Sequence, residues 1–152
     1  MSISTNYLLP QTFEEMFKNI EPFFNNVFGE QKRYTVLENA RLHEYLFNSL
    51  NCSSGTEYYW NIYQKISELF ENFLNNSFEY LKQFPVDDNF ENRVIQENEK
   101  YLFSKQYIYE IFHIIDDLKS SGASTNIQIC ISRLYNNHIC KINNTFGINF
   151  QP

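Results

Sequence analysis

The sequence predicts an all-α protein: a single-domain bundle of about five helices packed around one long central helix, residues 56–84. Three observations predict it. From Tyr59 onward, ring-bearing and aliphatic residues recur by steps of four and three through Tyr63, Ile66, Phe70, Phe73, Tyr80 and Phe84, with Ser77 on the same line; that period is helical. Five times, a Ser, Thr or Asp stands three residues before a Glu or Gln at the head of an apolar run, the pattern in which side chains satisfy the free amides of a first helical turn. Only 4 Gly and 4 Pro occur in 152 residues, too few breaks for the many turns of a sandwich or barrel.

Taken in order, residues 1–11 form a lead-in that ends past Pro10. Thr12 to Glu15 is the first capping box, and Phe13, Met16, Phe17, Ile20, Phe23, Phe24, Val27 and Phe28 make an apolar face that closes at Gly29. Pro22 lies inside this helix and is expected to kink it, because it lacks an amide donor. Thr35 to Glu38 starts a second helix, with Val36, Leu37, Ala40, His43, Leu46, Phe47 and Leu50 as its stripe. Ser54 to Glu57 caps the central helix and Pro85 stops it. Its ~29 residues reach about 43 Å, enough to traverse a domain of this size.

Asp88 and Glu91 head the next helical stretch, whose apolar positions include Phe90, Val94, Ile95, Tyr101, Leu102, Tyr107, Ile108, Ile111, Phe112 and Ile115. Unbroken over 88–119 it would outrun the core, so a bend or break is expected near Phe103 to Gln106. Its first half, rich in charge and poor in apolar residues, is expected to project or to face a partner. Thr125 to Gln128 opens a final segment, 125–142, read as a helix, although the alternation of Ile127, Ile129 and Ile131 also allows a short strand. The tail, residues 143–152, alternates Phe146, Ile148 and Phe150 and either docks as an extended segment or stays loose. Neither repeats nor a second domain is evident.

Composition narrows function more by exclusion than by indication. The interior should be built from rings, since 15 Phe and 11 Tyr stand against 1 Trp. No apolar run is long enough to span a membrane, and the N-terminus lacks a secretory pattern, so a cytoplasmic protein is expected. A net charge of −6 opposes direct nucleic-acid binding. Three cysteines, Cys52, Cys130 and Cys140, without a CxxC pair read as buried reduced thiols.

Catalytic and metal-binding patterns are incomplete. Glu110 and His113 have the Glu-x-x-His spacing of di-metal bundles, but neither His43 nor His138 carries the matching glutamate; a histidine bonded to Glu110 or Asp117 is the alternative. His138 and Cys140 form one close pair where zinc usually takes two. No nucleophile elbow, phosphate loop or His-Glu-x-x-His occurs. No cofactor is expected, and an enzyme is the less favoured class.

Charge geography remains. Between Val86 and Glu99, Asp87, Asp88, Glu91, Glu97 and Glu99 face a single Arg93, a local balance of −4. Asp116 and Asp117 would join them if the chain folds back, whereas no acid follows Lys119. Such a cluster suits steering of a basic protein surface; acids at a helix start also complement the helix dipole in plain solvent. In size, acidity, lack of catalytic motifs and these carboxylates, the chain resembles the small acidic immunity proteins that bacteria make against secreted nuclease toxins, including those of contact-dependent growth inhibition. The resemblance implies one-to-one binding of a basic toxin domain by carboxylates that stand in for phosphates. Asp87, Asp88, Glu91, Glu97, Glu99, Asp116 and Asp117 are then the expected contact residues, with Tyr101 or Tyr107 as an aromatic anchor. The other readings are a helical adaptor or inhibitor of a non-nuclease target, and a small metal-dependent helical enzyme.

Overall fold

The computed structural model describes residues 12–50, 55–118 and 127–152, with the side chains of 55–57, 117 and 118 left out. Among them are five α-helices and no strand: α1 (Phe13–Asn25), α2 (Val36–Leu50), α3 (Gly55–Leu81), α4 (Phe90–Leu118) and α5 (Ile127–Phe146). The capping box of Ser54 and the cap at Thr125 lie outside the described residues.

Thr12 caps α1 by accepting the Glu15 amide at 3.2 Å. The α-helix runs through Pro22, and the irregularity comes after it, as one π-helical turn, Asn26–Glu30. There the Asn26 amide is shared between the carbonyls of Pro22 and Phe23. Gln31 ends the turn at φ 55, a left-handed backbone that few L side chains adopt. Its own amide group holds it there, donating to the Val27 carbonyl at 2.6 Å and to the Ser104 hydroxyl at 3.1 Å.

The box at the head of α2 is reciprocal: Thr35 Oγ1 accepts the Glu38 amide, and the Glu38 carboxylate accepts the Thr35 amide, each at 3.2 Å. Hydrogen bonds to the charged carboxylate hold Glu38 below the usual range. The expected stripe of α2 is corrected at its start and again further along, where Ala40 and Phe47 are exposed. Val36 and Leu37 are exposed, and the buried ridge is Leu42, Leu46, Ser49 and Leu50.

In α3 the spacing identified much of the buried face: Tyr63, Ile66, Phe70 and Ser77 are buried, along with Ile62, Leu74, Phe78 and Leu81. Tyr80 is exposed, and the helix ends at Leu81 instead of Phe84. Beyond it, Gln83 and Phe84 donate to carbonyls three residues back, which tightens the exit before Pro85. Phe84 then serves as a platform for the Arg93 guanidinium, 3.9 Å from its centroid.

The expected break near Phe103 to Gln106 is absent: α4 is one helix of 29 residues, about 43 Å long. It does not overhang because it is itself a hub, packed against the π turn, α2, α3 and α5. Its first half does not project either. Phe90, Val94, Glu97, Asn98 and Tyr101 are all buried there. Ser77 of α3 meets Glu97, and Tyr63 meets Asp116, so α3 and α4 run antiparallel. Phe90 lies against Phe146, ring centroids 4.7 Å apart, and Asn98 accepts from Tyr135, so α5 returns antiparallel to α4. α1 covers the other side through Phe23 and Phe24, both on Phe112.

The segment after Ile127 is a helix, with Ile131, Tyr135, His138, Ile139 and Ile142 buried. A strand would have buried alternate residues instead, and Ile129 is exposed. Gly147 ends α5 at φ 65, and the Ile148 amide donates to the Asn143 carbonyl at 3.2 Å, a Schellman closure. The expected tail is corrected at its start, since residues 143–146 belong to α5; the rest docks, the Asn143 side chain accepting the Phe150 amide and donating to its carbonyl, with Phe150 buried.

Candidate functional site

The turn from α3 into α4 is set locally. Pro85 ends helical continuation, and the Asp87 carboxylate accepts the Asn89 amide at 2.9 Å, which bends the chain into α4. Asp87, Asp88, Glu91 and Glu99 are exposed. At about 100° per residue, Glu91, Ile95, Glu99, Leu102, Gln106 and Tyr109 fall within about 40° of one line along α4. Three of them are large apolar side chains left in solvent: Ile95 and Leu102 each 42% exposed and Tyr109 37%. The cations of this helix are engaged elsewhere: Arg93 on Phe84, Lys100 on Glu97 at 2.8 Å, and Lys105 over Tyr135 at 4.9 Å. Among the described residues none makes an ion pair with Asp87, Asp88, Glu91 or Glu99.

Four of the expected contact residues do not reach this surface. Glu97 and Tyr101 lie on the opposite side of the α4 cylinder from Ile95 and are buried. Ser77 donates to Glu97 at 2.7 Å and shares a hydrogen bond with the Tyr101 hydroxyl, whose pKa burial pushes up. Asp116 turns inward: it accepts the Ile127 amide at 3.1 Å and the hydroxyl of Tyr63. Asp117 has a side chain outside the description. Tyr107 is also buried, its hydroxyl accepting the Tyr34 amide at 2.8 Å and donating to Asn39 at 2.6 Å. Linear proximity suggested one acidic patch, but helical pitch turns Glu97 inward and hydrogen bonds to α5 and α3 take up Asp116.

The metal motifs are used structurally. Arg33 grips Glu110 through both terminal nitrogens, one at 3.0 Å, and holds its carboxyl below the usual range. His113 faces His43 edge-on, ring centroids 5.7 Å apart. His138 is buried edge-on against Tyr101 at 4.8 Å, and burial lowers its pKa to about 4. No group of three His, Cys, Asp or Glu side chains suited to a metal occurs among the described residues. Cys130 is half-buried and Cys140 exposed, so neither is the buried thiol expected; Cys52 lies outside the description.

Two concavities were not foreseen, since each needs helices distant in sequence. The larger, about 740 Å³, lies beside the π turn between α1, α3 and α4, over the rings of Phe17, Phe24, Phe28 and Phe73. A smaller hollow of about 350 Å³ opens beside the exposed α4 strip, between Leu102, Lys105, Gln106 and Tyr109 of α4 and Gln128 and Ile131 of α5. Ile95 and Leu102 share the helical spacing of the buried Val94 and Tyr101 yet are exposed; on a helix wrapped by neighbours, spacing alone does not tell which face stays free. Searches for a matching protein family, a related curated protein or a similar solved structure find none for this chain.

Proposed function

We propose that this protein binds and neutralises a basic protein domain through the exposed strip of α4, as an immunity protein does for a nuclease toxin. The observation that supports it is the exposure of Asp87, Asp88, Glu91 and Glu99 without an ion pair among the described residues, with Glu91 and Glu99 on the same strip of α4 as the exposed Ile95 and Leu102. Buried carboxylates need partners of their own, whereas these four are free to meet a partner's lysines and arginines. Charge of one sign steers association, and apolar side chains within it supply the area that holds a complex once formed. A nuclease that binds phosphates presents the complementary surface.

The direct experiment is recovery of the tagged protein from its native lysate at low and high salt, with bound chains weighed by mass spectrometry. One basic polypeptide in stoichiometric amount, with nuclease activity that this protein suppresses, is the expected result. A stoichiometric partner that is acidic, or one whose association rate is indifferent to salt, would overturn the proposal.

A further inference from the structure

We infer that the partner docks through an α-helix that lays one large apolar side chain into the hollow beside Leu102 and sets its basic side chains against Glu99 and Glu91. This inference rests on the proposed function and specifies the element that the strip receives.

The strip is long. Ile95, Leu102 and Tyr109 are seven residues apart, a repeat of about 10.5 Å on a helix axis, which the seven-residue repeat of a second helix matches. Among the described residues there is no strand, hence no sheet edge for an extended peptide to extend. Between antiparallel α4 and α5 the hollow of about 350 Å³ has room for one indole or phenyl group. Leu102, Tyr109 and Ile131 wall it with apolar surface, the setting in which aromatic anchors concentrate binding energy.

Charge selects the occupant. A second copy of this chain would bring its own unpaired Asp88, Glu91 and Glu99 to the same surface, like against like, on a molecule already at −6. A basic helix finds Glu99 about 5 Å and Glu91 about 17 Å from Leu102 along the axis. Its cations therefore lie about three and about eleven residues from its anchor, on the side facing the start of α4. Lys105, over the Tyr135 ring, also lines the hollow as a cation, so the side chain seated there is an uncharged one and the partner's cations lie away from it, towards Glu99 and Glu91.

The test uses the full chain and three synthetic helical peptides of about six turns. The first carries Trp as anchor with lysines three and eleven residues away; the second replaces Trp by Ala; the third replaces the lysines by Glu. Affinity is read by calorimetry and the site by amide shifts in NMR spectra. The expected result is micromolar binding of the first peptide, shifts centred on Leu102, Tyr109, Gln128 and Ile131, and a loss of about tenfold or more for each altered peptide. Leu102→Lys, an exposed substitution checked for helicity by circular dichroism, should weaken the first peptide by the same factor. Equal affinity of the Trp and Ala peptides, or no shifts at Leu102 and Tyr109 at about 1 mM peptide, would overturn the anchor while leaving the acidic strip intact. Unchanged binding by a Glu91→Lys, Glu99→Lys variant would overturn the underlying function instead. Reversible dimerisation of the protein that Leu102→Lys abolishes would assign the hollow to a second copy and end the inference.

Discussion

Acid should unfold this protein partly through a single histidine. His138 is buried against the ring of Tyr101, and desolvation, with a smaller contribution from Lys141 and opposed by Glu97, lowers its pKa from 6.5 to about 4. The unfolded chain takes up this proton near pH 6.5, while the native state refuses it until about pH 4. Native stability from this group is therefore whole above pH 6.5 and declines as the pH falls through that window. At about 1.4 kcal/mol per unit, the loss by pH 4.5 is about 2–3 kcal/mol, a large share of a typical domain's 5–15 kcal/mol. Replacing His138 by Phe keeps a ring against Tyr101 and removes the titrating nitrogen. Urea unfolding followed by circular dichroism at pH 7.5 and 4.5 isolates the effect, because all other titrations are common to both proteins. The wild type should lose about 2–3 kcal/mol more than the variant between the two pH values. Parallel losses, within about 0.5 kcal/mol, would refute the argument that His138 stays neutral in the fold.

Three further outcomes are expected. Phe70→Ala empties a fully buried position in α3 and should cost about 3–5 kcal/mol in urea unfolding; a loss under about 1 kcal/mol would mean that α3 is not at the core. Gly147→Ala meets no neighbouring atom but must take φ 65, so it should cost about 1–2 kcal/mol from conformation alone. Full stability in that variant would show that the closure of α5 tolerates a side chain. Reversing Asp88, Glu91 and Glu99 to lysine should leave helicity nearly intact, since all three are exposed, and weaken partner binding by more than about tenfold. Unchanged affinity would remove the acidic strip from the interface.

The helices were legible wherever their signals are local. The box at Thr35 and Glu38 and the spacing from Tyr63 to Ser77 each report on a few neighbouring residues, and each predicts what the chain does; Pro85 marks the end of α3 more coarsely, since the helix stops at Leu81. What could not be read depends on what comes to lie alongside. Ile95 and Phe112 both satisfy the helical period, yet one is exposed and the other buried, a difference set by α1, α2, α3 and α5 surrounding α4 unevenly. The continuity of α4 has the same origin. Length argued for a break, but a helix lined on several sides is supported along its whole extent. Glu97 shows the limit for charge: its polarity placed it outside, while the Ser77 hydroxyl and Lys100 satisfy it inside.

Asp116 determines how α5 begins. The first amides of a helix ordinarily look to their own preceding residues or to water. Here the Ile127 amide is taken by a carboxylate of α4 that also receives the Tyr63 hydroxyl of α3. Fraying of this end is therefore not a local event, because it separates groups of three helices at once. In hydrogen exchange, Ile127 should behave less like a helix terminus than like an interior amide, opening only with the cooperative unit to which all three belong. A single amide at the edge of one helix thus becomes a reporter on the docking of the bundle, and its protection can be followed while the strip, which ends at Tyr109 seven residues before Asp116 on the same helix, is altered.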